Sequence, residues 1–199
     1  MDLFGFDADL NILPYDGDVY YYGGILEYDF AKQIRLDLLQ NIAWKNDEVV
    51  IHGKHIITDR KIAWYGDNPY SYTYSNTTKQ AHVWTAELLQ LKQIVEKHSN
   101  AVFNSCLLNL YHTGAEGLSW HSDNEKELGK NSVIASLSLG AKRKFSFKHK
   151  QSRETVSLEL EEGSLLLMKG ETQQHWLHSL PKTTKVHEPR INLTFRQML

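Results

Sequence analysis

Trp120-His121-Ser122-Asp123 is the segment with the clearest chemical potential in this 199-residue chain. His121 and Asp123 stand at i and i+2, so on an extended backbone both side chains project the same way and can grip one metal ion. A lone His-x-Asp is a weak signal, because a surface histidine beside an acid arises often by chance. Two histidines and one carboxylate that leave coordination positions open suit iron(II), and such a site needs a third ligand from a distant segment. His178, in His175-Trp176-Leu177-His178-Ser179-Leu180-Pro181, is the candidate and His175 its competitor; spacing does not choose between them. Further on, Arg190-Ile191-Asn192-Leu193-Thr194-Phe195-Arg196 alternates without a fault. Its period of two turns Ile191, Leu193 and Phe195 to the core and gathers Arg190, Asn192, Thr194 and Arg196 on the opposite face. Two guanidiniums on one strand face suit a small dianion, since each can hold a carboxylate through paired hydrogen bonds. A solvated edge strand is the plainer reading of the same pattern.

These side chains need rigid elements to position them. Apolar residues recur at helical spacing from Asp29 to about Ile42 (Phe30, Ile34, Leu38, Leu39, Ile42) and again from Thr85 to Lys97. Between the two helices, residues 49–57 are β-rich on both sides of His52-Gly53, which predicts a hairpin with its tip there. From Asn104 onward short β-type runs follow one another near 106–112, 117–122, 132–139, 143–149, 154–160, 164–169, 174–180 and 190–197. Eight short strands after two helices predict an α+β fold: a double-stranded β-helix, or jelly-roll, buttressed on one face by the N-terminal helices.

Composition sets the limits. The chain is 41% apolar and 23% charged, which is ordinary globular composition and excludes a disordered tail protein. Its net charge of −2 is unevenly spread: residues 1–31 hold seven acids and no Lys or Arg. That segment reads as a solvated N-terminal cap. Cys106 is the only cysteine, so no intrachain disulfide can form and a reducing compartment is expected. No apolar run approaches the length of a bilayer span, and no basic stretch with an apolar follow-on marks a leader. The expectation is a soluble, unprocessed monomer without membrane contact, cytoplasmic or, in a eukaryote, nuclear.

Asn109-x-Tyr111, His121-x-Asp123, the Trp-Leu-His-Ser-Leu-Pro histidine and Pro189-Arg190-x-Asn192-Leu193-Thr194-Phe195-Arg196 stand in an order and spacing that resembles the AlkB family of iron(II) and 2-oxoglutarate dioxygenases. The resemblance runs from about Asn46 to the C-terminus and is closest to the branch of animal homologues that repair alkylated DNA. It implies that His121, Asp123 and His178 ligate Fe(II), which selects His178 over His175. It further implies that Asn109 and Arg196 lie near the C1 end of 2-oxoglutarate, that Arg190 with Tyr111 grips the C5 carboxylate, and that Asn192 and Thr194 line that pocket. The reaction implied consumes 2-oxoglutarate and O2 and yields succinate, CO2 and a hydroxylated N-methyl group, which collapses to formaldehyde and the repaired base. No residue need act as a nucleophile, because the cofactor carries the difficult step and the protein supplies position and water exclusion.

The substrate side rests on weaker patterns. Arg60-Lys61 with Tyr65-Gly66-Asp67, followed by Tyr72-Thr73-Tyr74-Ser75, resembles the base-recognition lid of the same branch. By that match Tyr74 and the His121 ring enclose a flipped base while Tyr72 and Glu125 reach its polar edge. Flipping is required, since a methyl on a Watson–Crick nitrogen is inaccessible inside a duplex. In the duplex-repairing relatives the hairpin tip carries an aromatic wedge; here it is His52, smaller and polar, which implies weaker action on double strands. Lys142, Arg143, Lys144, Lys148, Lys150 and Arg153 form a run of six cations without an acid. Backbone contact is expected from this run, of which strand alternation lets only part meet phosphates; Lys148, Lys150 and Arg153 are the named candidates, and Lys54 and Arg60 stand beside the lid. His112, His149 and His187 read as polar surface or supporting residues, and Cys106 as a small buried hydrophobe.

The expected organisation is a single domain, 1–199, with an N-terminal extension and helix (1–45), a recognition lid (46–80) and a catalytic jelly-roll (100–199). Its expected partner is nucleic acid, alkylated DNA above all and RNA as an option. Two rivals are the same chemistry on RNA or protein and a catalytically silent nucleic-acid-binding module. A protein demethylase has no use for an aromatic lid with a cationic run, and a silent module has no use for three ligands and both arginines.

Overall fold

The period-two segments of the sequence become two facing sheets. The computed structural model describes residues 9–51, 54–69, 71–74 and 77–199. The first half supplies β1 (Asp18–Gly24), α1 (Tyr28–Asn41), β2 (Lys45–Ile51), β3 (Lys54–Gly66), β4 (Ser71–Tyr74), β5 (Thr77–Gln80), β6 (His82–Val83) and α2 (Ala86–Ser99). The second half supplies β7 (Ser105–Tyr111), β8 (Leu118–His121), a 3-10 turn at Lys126–Leu128, β9 (Ile134–Gly140) and β10 (Arg143–His149). It continues with β11 (Thr155–Leu160), β12 (Ser164–Lys169), α3 (Thr172–His175), β13 (Trp176–Leu180) and β14 (Arg190–Arg196). The major sheet runs β1-β12-β9-β14-β7-β3-β2, with β6 joined in parallel to the end of β3. The minor sheet runs β11-β10-β13-β8, and β4 pairs with β5 in a separate hairpin. Mostly antiparallel strands in two facing sheets make the expected double-stranded β-helix.

Each strand of the major sheet separates two environments. On β9, Ala135, Leu137 and Leu139 face the helices, while Ser136 turns inward toward the minor sheet. On β14, Ile191, Leu193 and Phe195 join the same helix-side core. That core is closed by Ala31, Ile34 and Leu38 from α1 and Leu88, Leu91 and Val95 from α2. Each large aliphatic buried there contributes about 1.5–3 kcal/mol. Helix α2 begins at Thr85, whose hydroxyl accepts the Leu88 N–H, and ends at Asn100 in the left-handed conformation, φ 50°. Cys106 is fully buried in this layer, as expected of a small hydrophobe. A second core, with Val19, Phe147, Leu160, Trp176 and Leu180, fills part of the space between the sheets.

The acidic N-terminal segment departs from its expected role. Rather than a solvated cap, residues 18–24 form an edge strand of the major sheet against β12, with Val19 and Tyr21 buried. The acids flank the strand or lie on its outer positions, so they do not prevent the alternate residues from entering the core. At the C-terminal end of β9, Gly140 sits at φ +90°, and a Cβ there would clash with Pro189 O. The glycine lets β9 turn beside the entry to β14 and so places Arg190. Strands β2 and β3 pair as the expected hairpin. Its tip with His52, together with Ser75 and the side chains of Lys54, Tyr72 and Tyr74, lies outside the described residues.

Candidate active site

Between the sheets lies a cavity of about 840 Å³. Its floor is the inner face of the major sheet: Arg190, Asn192, Thr194 and Arg196 from β14, beside Asn109 and Tyr111 from β7. Register explains the grouping, since Arg190 pairs with Tyr111 and Asn192 with Asn109. Its opposite wall includes His121, Asp123, Phe145, His178 and Leu180.

His121 and His178 are direct partners across β8 and β13, with ring centroids 4.2 Å apart. Asp123 lies two residues beyond, past the end of β8, and ligand atoms of all three fall within 4.8 Å of one another. His175 is not part of this group. It ends α3 rather than lying on the strand, so the contest left open by spacing is resolved in favour of His178 as the member brought to this cavity. His121 Nδ1 donates to Ser119 O at 2.8 Å, which leaves the Nε2 lone pair for the cavity. Asp123 is held from two sides. Its backbone N–H donates to Gln173 Oε1 at 2.9 Å, and its Oδ2 accepts from Arg196 at 2.7 Å. Burial pushes the Asp123 carboxyl up, but Arg196, then His178 and His121, outweigh it and hold the group at about 2. Burial drives His178 down to about 3 against the pull of Asp123, so its ring is neutral near pH 7.

Arg190 sets the character of the other end. It is 2% exposed, donates to Ser138 Oγ at 2.9 Å and stands 5.6 Å over the Tyr111 ring. Its Nε lacks a hydrogen-bond partner among the described residues, and no carboxylate pairs with it there. Burial lowers its pKa to about 10, with Tyr111 opposing. A buried guanidinium without an acid leaves an uncompensated charge that an incoming carboxylate would neutralise. Two neutral imidazoles, one carboxylate and no thiolate form a donor set that fits Fe(II), and the acid-free arginine fits the distal carboxylate of 2-oxoglutarate.

Residues expected on the substrate side separate into several groups. Arg60 lines the cavity and is ion-paired with buried Asp47, a residue the sequence did not single out. Glu125 also lines it, and its Oε2 is buried without a hydrogen bond among the described residues. Lys148 places its ammonium 4.1 Å over the Trp120 ring. Lys150 turns inward, donating to Gln173 O at 2.9 Å and Ser122 Oγ at 3.3 Å. Arg153 is exposed on the β10–β11 turn. Arg143 must be removed from the phosphate-facing set. It is 2% exposed and donates to the carbonyls of Thr113, Glu116 and Pro181, so it ties loops together. Lys142 pairs with Glu161 at 3.0 Å. His149 is likewise not a surface residue but is buried against Tyr15 and Trp176; His112 pairs with Glu116, and His187 is exposed.

A double-stranded β-helix with two imidazoles and a carboxylate at one cavity, facing a buried arginine, defines a 2-His-1-carboxylate oxygenase architecture. Residues 18–196 match the model of the 2OG-Fe(II) oxygenase superfamily, and the chain belongs to that family, whose enzymes use Fe(II), 2-oxoglutarate and O2. Human alpha-ketoglutarate-dependent dioxygenase alkB homolog 3 is 37% identical over 184 residues, covering 88% of this chain and 64% of the relative. Human DNA oxidative demethylase ALKBH2 is 42% identical over 159 residues, covering 76% and 61%. The chain thus spans less than two thirds of the length of these curated relatives. OsALKBH1 shares the fold with a TM-score of 0.62 at 18% identity, covering 90% of this chain and 97% of that one. A prolyl hydroxylase from Trichoplax adhaerens, in complex with a hypoxia inducible factor peptide fragment, does so at 0.58 and 14%, covering 90% and 83%. No helix among the described residues is long and apolar enough to cross a membrane.

Sequence reading overlooked Ser138, Gln173, Asp47 and Trp64. Ser138 was available from the Ser-Leu-Ser-Leu alternation of β9. Gln173 carries no local signal, because it meets Asp123 from 50 residues away.

Proposed function

We propose that the chain is an Fe(II)/2-oxoglutarate dioxygenase that demethylates bases of the 1-methyladenine and 3-methylcytosine type in nucleic acid, DNA in particular. The observation that carries this reading is the group of half-buried His121 with buried Asp123 and His178, opening on the same cavity as the acid-free Arg190. The likeness to human alkB homolog 3 and ALKBH2 supports the substrate class.

In this reading His121, Asp123 and His178 hold the iron, with Asp123 offering the oxygen that Arg196 leaves free. Arg190 and Tyr111 take the C5 carboxylate of 2-oxoglutarate, Asn109 and Arg196 stand near its C1 end, and Asn192 and Thr194 line the pocket between. With 2-oxoglutarate and O2, the bound iron supplies oxidation of the N-methyl group to hydroxymethyl, coupled to formation of succinate and CO2; the hydroxymethyl group then leaves as formaldehyde. The chain's part is to bind, orient and exclude water. Asp123 stays ionised and His178 neutral at physiological pH, so neither must lose a proton before ligating. Tyr72, Tyr74, Ser75 and Glu125 receive the flipped base, with Arg60 at the lid and Lys148 and Arg153 toward the backbone; Lys150, expected among them, is held inward by Gln173 O and Ser122 Oγ instead. His52 is a weak wedge, so duplexes are poorer substrates than single strands.

The chain acts as one domain and as a monomer, in the cytoplasm or nucleus. Residues 46–80 include the lid and 100–199 supply most of the catalytic jelly-roll, to which residues 18–24 of the N-terminal segment 1–45 add an edge strand. Aerobic incubation with Fe(II), 2-oxoglutarate and a methylated oligonucleotide should release formaldehyde and succinate in equal amounts, with Asp123→Ala releasing neither. Binding of both cofactors without formaldehyde from any methylated oligonucleotide would overturn the reading.

A further inference from the structure

Four of the five tryptophans have a bound indole N–H: Trp44 to Leu38 O, Trp64 to Ser105 Oγ, Trp84 to Asp67 Oδ1 and Trp176 to Tyr15 O. Trp120 differs. It is 39% exposed, and its partner is the Lys148 ammonium, 4.1 Å above the ring. Strand alternation turns Trp120 to the outer face of the minor sheet, while its neighbour His121 lines the cavity. The surface therefore adjoins the cavity wall.

Lys148 itself has no acid opposite it, although Glu159 faces Lys144 further along the same strands. In register, Lys148 stands between Thr155 and Leu177, both neutral, and it forms no ion pair among the described residues. Arg153, exposed on the turn that follows β10, adds a second cation. An exposed indole beside a lysine that has no ion pair among the described residues suits a ligand that presents flat π-faces and anionic links together. Single-stranded nucleic acid is such a ligand, whereas a duplex keeps its bases in the stack.

We propose that Trp120 and Lys148 form a platform for the single strand flanking the flipped base, one neighbouring base stacking on the indole while Lys148 meets a phosphate. This rests on the nucleic-acid reading above and adds to it a second contact outside the cavity. The orientation of the strand on the enzyme follows, because the platform and the cavity lie on opposite faces of β8.

Fluorescence anisotropy with unmodified single-stranded oligonucleotides tests it. Trp120→Ala should weaken binding roughly 5- to 150-fold, the range expected for one base stacked on an aromatic ring. Trp120→Phe, which keeps a ring, should recover most of the loss and excludes a folding defect. Lys148→Ala should reduce the slope of log K against log salt by about 0.7, one single-strand phosphate contact. Heparin, an anion without bases, should bind Trp120→Ala as it binds wild type and Lys148→Ala more weakly. Unchanged oligonucleotide binding by Trp120→Ala, an equal loss on heparin or an equal loss on a duplex would each overturn the platform. Formaldehyde release is scored separately. Binding through Trp120 without any release would leave the platform standing and sink the demethylase reading; release with normal binding by Trp120→Ala would sink the platform alone.

Discussion

Among the described residues two groups have the composition of a metal site, two histidines and one aspartate with ligand atoms within 4.8 Å: His121, Asp123 and His178, and Asp16, His149 and His175. Their far nitrogens separate them. At His121 the Nδ1 proton goes to Ser119 O, so Nε2 presents a lone pair to the cavity. At His149 the Ser152 N–H donates to Nδ1 at 3.1 Å, so the ring proton of the neutral form sits on Nε2, the atom 3.4 Å from Asp16. A protonated nitrogen cannot ligate. Among the described residues His149 Nε2 makes no hydrogen bond, and the ring is held from its Nδ1 side by Ser152. Beside it, the Tyr15 hydroxyl bonds Ser152 and Glu154 at 2.7 Å, and Trp176 Nε1 bonds Tyr15 O, fastening the N-terminal segment to the minor sheet. Proximity of the right residue types marks a candidate, and the hydrogen bond on the remote side of each ring decides it.

A contrast also separates the two buried arginines that approach Tyr111. Arg143, 5.9 Å from that ring, spends its terminal nitrogens on three carbonyls, whereas Arg190 makes one side-chain hydrogen bond, to Ser138 Oγ; the Nε of each is without a partner among the described residues. Arg190→Ala should therefore weaken 2-oxoglutarate binding by roughly 10²–10³-fold in calorimetry, the scale of a buried charge pair losing one partner. Arg143→Ala should leave that affinity within a few-fold and instead cost about 3 kcal/mol in urea unfolding, from carbonyls left unpaired. A swap of those two outcomes would break the comparison. Gln173→Ala should raise the metal dissociation constant about 10- to 100-fold, because the Asp123 backbone loses its fixed acceptor. His149→Ala gives the smallest change, about 1–2 kcal/mol of stability with metal binding intact.

Much of this arrangement was legible in the sequence where one rule dominated. The alternation of β14 assigns both arginines and both intervening polar residues to one face, and the structure keeps all four on the cavity. The strands from β7 onward fall within two residues of their expected bounds. Misreadings arose where charge was allowed to override alternation. Arg143 shares parity with Phe145, Phe147 and His149, all of them buried, yet it sits in a cationic run that reads as solvated. The acids around residues 16 and 18 concealed β1 in the same way, although Val19 and Tyr21 alternate into the core. Contacts such as Gln173 to Asp123 or Arg60 to Asp47 depend on which elements meet in space, and no local pattern carries them.

The central claim is that only one of the two histidine–aspartate groups holds the metal. Anaerobic loading with Fe(II), dialysis and elemental counting on wild type, His178→Ala and His149→Ala tests it most directly. The account predicts one ion per chain for wild type and His149→Ala and none for His178→Ala. An ion retained by His178→Ala, or lost from a folded His149→Ala, would contradict it.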